Sequence, residues 1–223
     1  MNNAIKIHTL RVFVDAKGNF GNPVGVILDE GNQVDKKERQ QISTMLGFSE
    51  SVFINDSFTG NVSIFNPRKE IPFAGHAMVG TAWFLNKSRS HPLDSLTCAG
   101  GVIKTWQDHD KTWIRAGLSM MPAWQYERFK NASEVEHFPP KETKKKEHTF
   151  VWSWVDENRG LIRARTFAPD WGIPEDEANG SGSMRLAVIL GRSVEIIHGK
   201  GSLIYATPWQ TNSADVGGRV MEV

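Results

Sequence analysis

Nine residues, Ala77 to Leu85, form a run that is apolar on almost every side. A surface helix shows one apolar stripe, whereas a helix apolar all round must be buried. At this length the run cannot span a bilayer, which takes about 20 residues. The turn Ile71-Pro72-Phe73-Ala74-Gly75-His76 precedes it, and the extended segment ending in Phe65-Asn66-Pro67 precedes that. The order strand end, turn, enclosed helix returns later in the chain. Phe167 and Pro169 stand 102 residues after Phe65 and Pro67, and Ile173-Pro174 keeps the offset from Ile71-Pro72. Gly180-Ser181 then follows Gly75-His76 at 105, as Ala187 and Leu190 follow Ala82 and Leu85. An internal repeat constrains a fold more than any local propensity. Two similar units are expected, each built around a helix, Ala77–Leu85 in one and Ser181–Leu190 in the other.

With 223 residues, the chain has room for two such units with real cores. Its 26 basic and 25 acidic residues nearly cancel, so no nucleic-acid partner is indicated. One cysteine, Cys98, excludes an internal disulfide and spells out no zinc motif. The first residues, MNNAIKIHTLRVFVDAKG, lack a signal-peptide core. A soluble, cytoplasmic protein is expected, with no membrane partner.

Branched and aromatic runs bounded by Gly, Asn and Asp predict strands at Ile5–Asp15, Val24–Leu28, Val52–Ile54 and Asn61–Phe65. Asp35–Leu46 has helical spacing and ends at Gly47, a candidate C-cap. Leu96–Trp106 pairs with Lys111–Ala116, Thr149–Val155 with Leu161–Phe167, and Val194–His198 with Ser202–Ala206. Gly217-Gly218-Arg219-Val220 reads as a tail. The polar, Pro-containing stretch 121–148, with a lysine run in PPKETKKKEH, reads as a solvated linker. The predicted division is residues 1–120, linker 121–148, and 149–223.

Helix starts expose unpaired N–H groups and a positive dipole end. Gly75-His76 and Gly180-Ser181 could therefore cradle a carboxylate, although Gly and Ser are also ordinary caps. Glu50, between two serines and before Val52-Phe53-Ile54, is a candidate proton carrier if it is desolvated. His76 could orient a substrate or shuttle a proton. Asp176 precedes a helix start, where a carboxylate also answers the dipole. Gly199-Lys200 lacks the rest of a Walker A loop, Gly180-Ser181-Gly182 lacks the third glycine of a dinucleotide fingerprint, and no histidine pair has metal spacing.

Gly21-Asn22-Pro23, Ser49-Glu50-Ser51-Val52-Phe53, Phe73-Ala74-Gly75-His76 through Ala82, Phe167-Ala168-Pro169, Pro174-Glu175-Asp176 with Gly180-Ser181, and Gly218-Arg219 occur in one order along nearly the whole chain. In these the chain resembles the phenazine-biosynthesis isomerase (PhzF-like) family, within the diaminopimelate epimerase fold. The resemblance implies an α+β fold of two pseudo-symmetric lobes. Each lobe would be a mixed, barrel-like sheet around a central buried helix, with the site between them. It implies an isomerase that needs no cofactor or metal and moves a proton between carbons of a small carboxylate substrate. Glu50 falls on the family's catalytic glutamate, and His76, Asp176 and Ser181 on its supporting polar residues. Gly75 and Gly180 fall where backbone holds the substrate. Ala74 and Asn179 stand where related two-thiol racemases carry cysteines, which disfavours that chemistry. The chain is shorter than usual members around 121–148, and Glu177 and Asn179 replace a usual Pro and Thr. A homodimer is expected to cover the shortened second lobe. The alternatives are a non-catalytic small-molecule-binding protein and a structural homodimer that keep the fold.

Overall fold

A computed structural model describes residues 5–87, 89–139 and 148–223. β1 (Ile7–Val14) and β2 (Asn22–Leu28) form an antiparallel pair. Helix α1 (Lys36–Leu46) follows, with the Asp35 side chain accepting from the Glu38 N–H at its start. Gly47 closes it in the left-handed region at φ 64°, where a residue without Cβ is unstrained. β3 (Glu50–Asp56) lies parallel to β2 and antiparallel to β4 (Asn61–Phe65). The short β5 (Glu70–Ile71) pairs with β4 and turns the chain into α2 (Gly75–Asn86). β6 (Ser95–Cys98), β7 (Gly101–Asp108) and β8 (Lys111–Gly117) follow as an antiparallel run. The single strand expected over Leu96–Trp106 is thus two, broken at Ala99-Gly100.

The stretch 121–148 is more than a linker in its described part. β9 (Gln125–Arg128) lies parallel to the strand that follows it, and α3 (Ala132–Glu136) buries Val135. The lysine run at 141–146 lies outside the described residues. β10 (Thr149–Asp156) and β11 (Leu161–Ala168) are the expected hairpin, and β12 (Ile173–Asp176) pairs with β11 before α4 (Gly180–Leu190). β13 (Val194–His198), β14 (Ser202–Trp209) and β15 (Ser213–Glu222) complete the chain.

The sequence repeat returns in the hydrogen-bond pattern. β2 is parallel to β3, β3 antiparallel to β4, and β4 parallel to β6. Likewise β9 is parallel to β10, β10 antiparallel to β11, and β11 parallel to β13. Among the described residues, β1, β2, β3, β4, β6, β7, β8 and β15 form a closed eight-strand barrel of mixed sense, because β15 pairs with both β8 and β1. From β15 the sheet continues through β14, β13, β11 and β10 to β9. No counterpart of β1 continues that run among the described residues.

The segment expected as a tail is therefore β15, the strand that closes the barrel. Its glycines answer a packing need rather than a loop. A Cβ on Gly217 would lie 2.3 Å from the Trp113 ring, and one on Gly218 2.5 Å from the Phe13 ring. Two aromatic rings from neighbouring strands pack close against bare backbone.

α2 packs against β1, β2, β3, β7, β8 and β15. Gly75 through Ala82 are all buried, including Thr81, whose hydroxyl donates back to the Ala77 carbonyl. Gly80 sets the distance: a Cβ there would meet Val12 at 2.8 Å. α4 packs against β14 and β15, and buries Gly180 through Met184 with Leu186 and Ala187. No helix among the described residues is long and apolar enough to cross a membrane.

Candidate active site

α2 and α4 meet at their N-termini, and a cleft of about 380 Å³ opens beside that meeting point. All six residues singled out in the sequence line it: Glu50, Gly75, His76, Asp176, Gly180 and Ser181. Glu50 is there because β3 begins with it, at the point where pairing with β2 begins at Val24. His76 is the second residue of α2, and Asp176 is the last of β12. Strand ends and helix starts are rigid, so these side chains are held by ladder and core rather than by loose loops.

The two helix starts differ. Asn179 caps α4, its Oδ1 accepting from the Gly182 N–H at 2.5 Å and from Ser181 Oγ at 3.3 Å. α2 begins at Ala74, which has no capping side chain. Its first N–H groups therefore keep the dipole's positive end without a side-chain acceptor.

Glu50 Oε2 approaches His76 Nε2 to 3.2 Å, with side-chain exposures of 12% and 4%. The alignment does not make this a hydrogen bond, and neither atom has another hydrogen-bond partner. Burial pushes the Glu50 carboxyl well above its usual range, and the nearby Asp176 carboxylate raises it further. Burial also pushes His76 down to about 3, against a hydrogen bond from the ring to the Pro23 carbonyl. The close contact is therefore not an ion pair at neutral pH, since the ring is neutral. Nε2 is unpartnered, so the bond to Pro23 uses the other ring nitrogen. Nε2 is left as an acceptor beside an acid that holds its proton tightly.

Asp176 is buried and its carboxyl is raised to about 6 by that burial. Asn22 Nδ2 donates to its Oδ1 at 2.6 Å and Asn179 Nδ2 to its Oδ2 at 3.1 Å, and both bonds favour the charged form. Asn22 Nδ2 also reaches the Ala178 carbonyl at 3.0 Å. Sequence reasoning gave Asn22 and Asn179 no role in holding Asp176. Asn179 carries a signal, since Asn before a Gly-Ser helix start is a preferred N-cap. Asn22 acts across a separation of 154 residues, which no local pattern encodes.

Another part of the lining is apolar, and all of it but Trp171 comes from outside the repeats. Met120, Met121, Trp124 and Trp171 form it. Cys98 is buried and takes no part in the cleft, and burial pushes its thiol up. Among the described residues no three His, Cys, Asp or Glu side chains converge as a metal site.

A family model described as phenazine biosynthesis-like protein matches residues 10–152. The trans-2,3-dihydro-3-hydroxyanthranilate isomerase of Pseudomonas fluorescens is 27% identical, over 81% of this chain and 78% of that one. A PhzF-family phenazine biosynthesis protein of Enterococcus faecalis superposes with a TM-score of 0.79 at 17% identity, covering 99% of this chain and 97% of that one. A hydroxyproline epimerase from Agrobacterium vitis superposes with a TM-score of 0.58 at 14% identity, covering 98% and 90%. At those identities the two structures speak for the fold.

Proposed function

Since the chain belongs to the phenazine biosynthesis-like (PhzC-PhzF) protein family and is by that kinship an isomerase, we propose that it moves a proton between two carbons of a small carboxylate. No cofactor enters this scheme, and Glu50 carries the proton. The observation that supports the reading is Glu50 itself, a buried carboxyl with an unpartnered oxygen beside the uncapped start of α2. Such a carboxyl has a pKa raised toward the working range of a general base.

The carboxylate form of Glu50 takes a proton from a carbon next to or conjugated with the substrate's carboxylate. The electron pair left on carbon delocalises onto that carboxylate. The N–H groups at the α2 start stabilise the growing charge, with the α4 start beside them through Gly180. Glu50 then returns the same proton to the other carbon, so atoms and electrons balance without an oxidant or reductant. Neutral His76 offers Nε2 to the proton on Glu50 while it waits. Asp176, gripped by Asn22 and Asn179, holds a donor group of the substrate, and Ser181 contributes its hydroxyl. On this reading the two sequence repeats act as two lobes, each organised by its helix, with the cleft at their junction. A purely binding protein would have no use for an unpartnered acid whose burial costs free energy.

Deuterium wash-in tests the scheme. Candidate carboxylates incubated in heavy water should gain deuterium at carbon in an enzyme-dependent way. Glu50→Gln keeps the shape and removes the base, so ligand binding should persist while wash-in falls at least about a hundredfold. Full wash-in by that variant would end the proton-carrier assignment. A homodimer is proposed for assembly. Val102 and Trp209, 64% and 45% exposed, offer apolar surface for it, and light scattering at micromolar concentration decides the matter.

A further inference from the structure

The cleft also has an aromatic wall that the proposed proton transfer does not use. Trp124 and Trp171 stand edge to face there, with ring centroids 5.4 Å apart. His148 packs against both, at 5.7 Å from Trp124 and 3.8 Å from Trp171. Trp124 is 9% exposed, and its indole Nε1 is buried without a hydrogen-bond partner.

This wall is pinned to the same helix that carries Gly180. Arg185 of α4 donates through Nη2 to the Leu118 and Met121 carbonyls, both at 2.8 Å. Tyr126, two residues past Trp124, donates from its hydroxyl to the Gly182 carbonyl at 2.8 Å. Burial pushes that phenol up, so it stays a donor. The segment that carries Trp124 is thus tied to α4 on both sides of that residue, through Met121 and Tyr126.

We propose that Trp124 and Trp171 form a specificity subsite for a flat, aryl-like group carried by the substrate away from the reacting carbons. The group lies against the indole faces, where aromatic pairs gain beyond simple burial. The proposal rests on the carboxylate reading above and narrows it. The preferred substrate is an acid with an aryl or heteroaryl arm, not a short aliphatic acid.

Calorimetry with butyrate, 3-phenylpropionate and 3-phenylpropanamide tests this. Wild type should bind 3-phenylpropionate at least about tenfold tighter than butyrate. Trp171→Leu and Trp124→Leu should each reduce that ratio severalfold while butyrate affinity stays. Trp171 is the less buried of the two, so its variant keeps the test sound if Trp124→Leu fails to fold. A wild-type ratio near one, or a ratio unchanged in Trp171→Leu and in any folded Trp124 variant, overturns the subsite. If the uncharged amide binds as tightly as the acid and loses affinity in the Trp variants, the subsite stands and the carboxylate reading falls.

Discussion

Gly75 and Gly180 touch backbone to backbone: a Cβ on Gly75 would stand 3.1 Å from the Gly180 Cα, and one on Gly180 3.2 Å from the Gly75 Cα. Both distances are shorter than ordinary contact, and main chain cannot swing aside as a flexible side chain can. The two helix starts are therefore spaced by the absence of two methyl groups.

Gly75→Ala sets two effects against each other. Alanine favours helix over glycine by about 1 kcal/mol in an interior, but position 75 is the first of α2, where that gain is smaller. Overpacking against backbone typically costs about 1–3 kcal/mol and should win. Urea unfolding should show a net loss, and wash-in should fall further than the loss of folded protein explains. A gain in stability with full activity would show that the helix starts can separate freely.

Asp176 and Glu50 should be linked in the pH dependence of wash-in. Glu50 works as a base only when deprotonated, so the rate should climb as pH rises through its raised pKa. Desolvation is the larger cause of that rise and Asp176 the second. Asp176→Asn removes one negative charge, so the climbing limb should move to lower pH while the maximum rate falls. A limb that stays in place, or moves to higher pH, would mean the two carboxyls do not sense each other.

Stability in acid should turn on the buried histidines. His198 is pushed down to about 3, first by burial, and its ring is held between the Thr166 hydroxyl at 2.8 Å and the Glu177 carbonyl at 2.9 Å. Between its ordinary 6.5 and about 3, the unfolded chain binds a proton that the folded one refuses. Stability then falls as pH falls, by about 1.4 kcal/mol per pH unit for each such group. His76 adds a second slope of the same sign. Asp176, raised from 3.8 to about 6, has the opposite sign within that window, as does Glu50 above its ordinary 4.5. The two raised carboxyls thus oppose the histidine slopes above their ordinary range, and once pH falls below that range they no longer do so. Unfolding curves should show His198→Gln losing stability more gently than wild type below pH 4. Parallel slopes would mean that His198 charges without cost.

The helices were legible because their signals are local. Asp35 and Gly47 bracket α1 as caps do, and the apolar runs announce α2 and α4. Glu50, His76 and Asp176 were legible through short motifs in a fixed order. The misses share a cause: each depends on a partner far along the chain. Gly217-Gly218 reads as part of a tail until Trp113 and Phe13 are packed against it. Tyr126 sits in a stretch whose charge and prolines say linker, yet its hydroxyl is anchored on α4 at Gly182. Asn22 sits in a turn motif that gives no hint of Asp176.

β15 follows every other strand in the chain, yet it is the stave between β8 and β1. Until β15 has been made, the other seven barrel strands have no partner that joins β8 to β1, and α2 has no sealed barrel to fill. The order of translation thus forces the early half to stay unfinished until the late half has been made. Loss of the final strand by a premature stop or a protease would undo the beginning of the protein rather than its end.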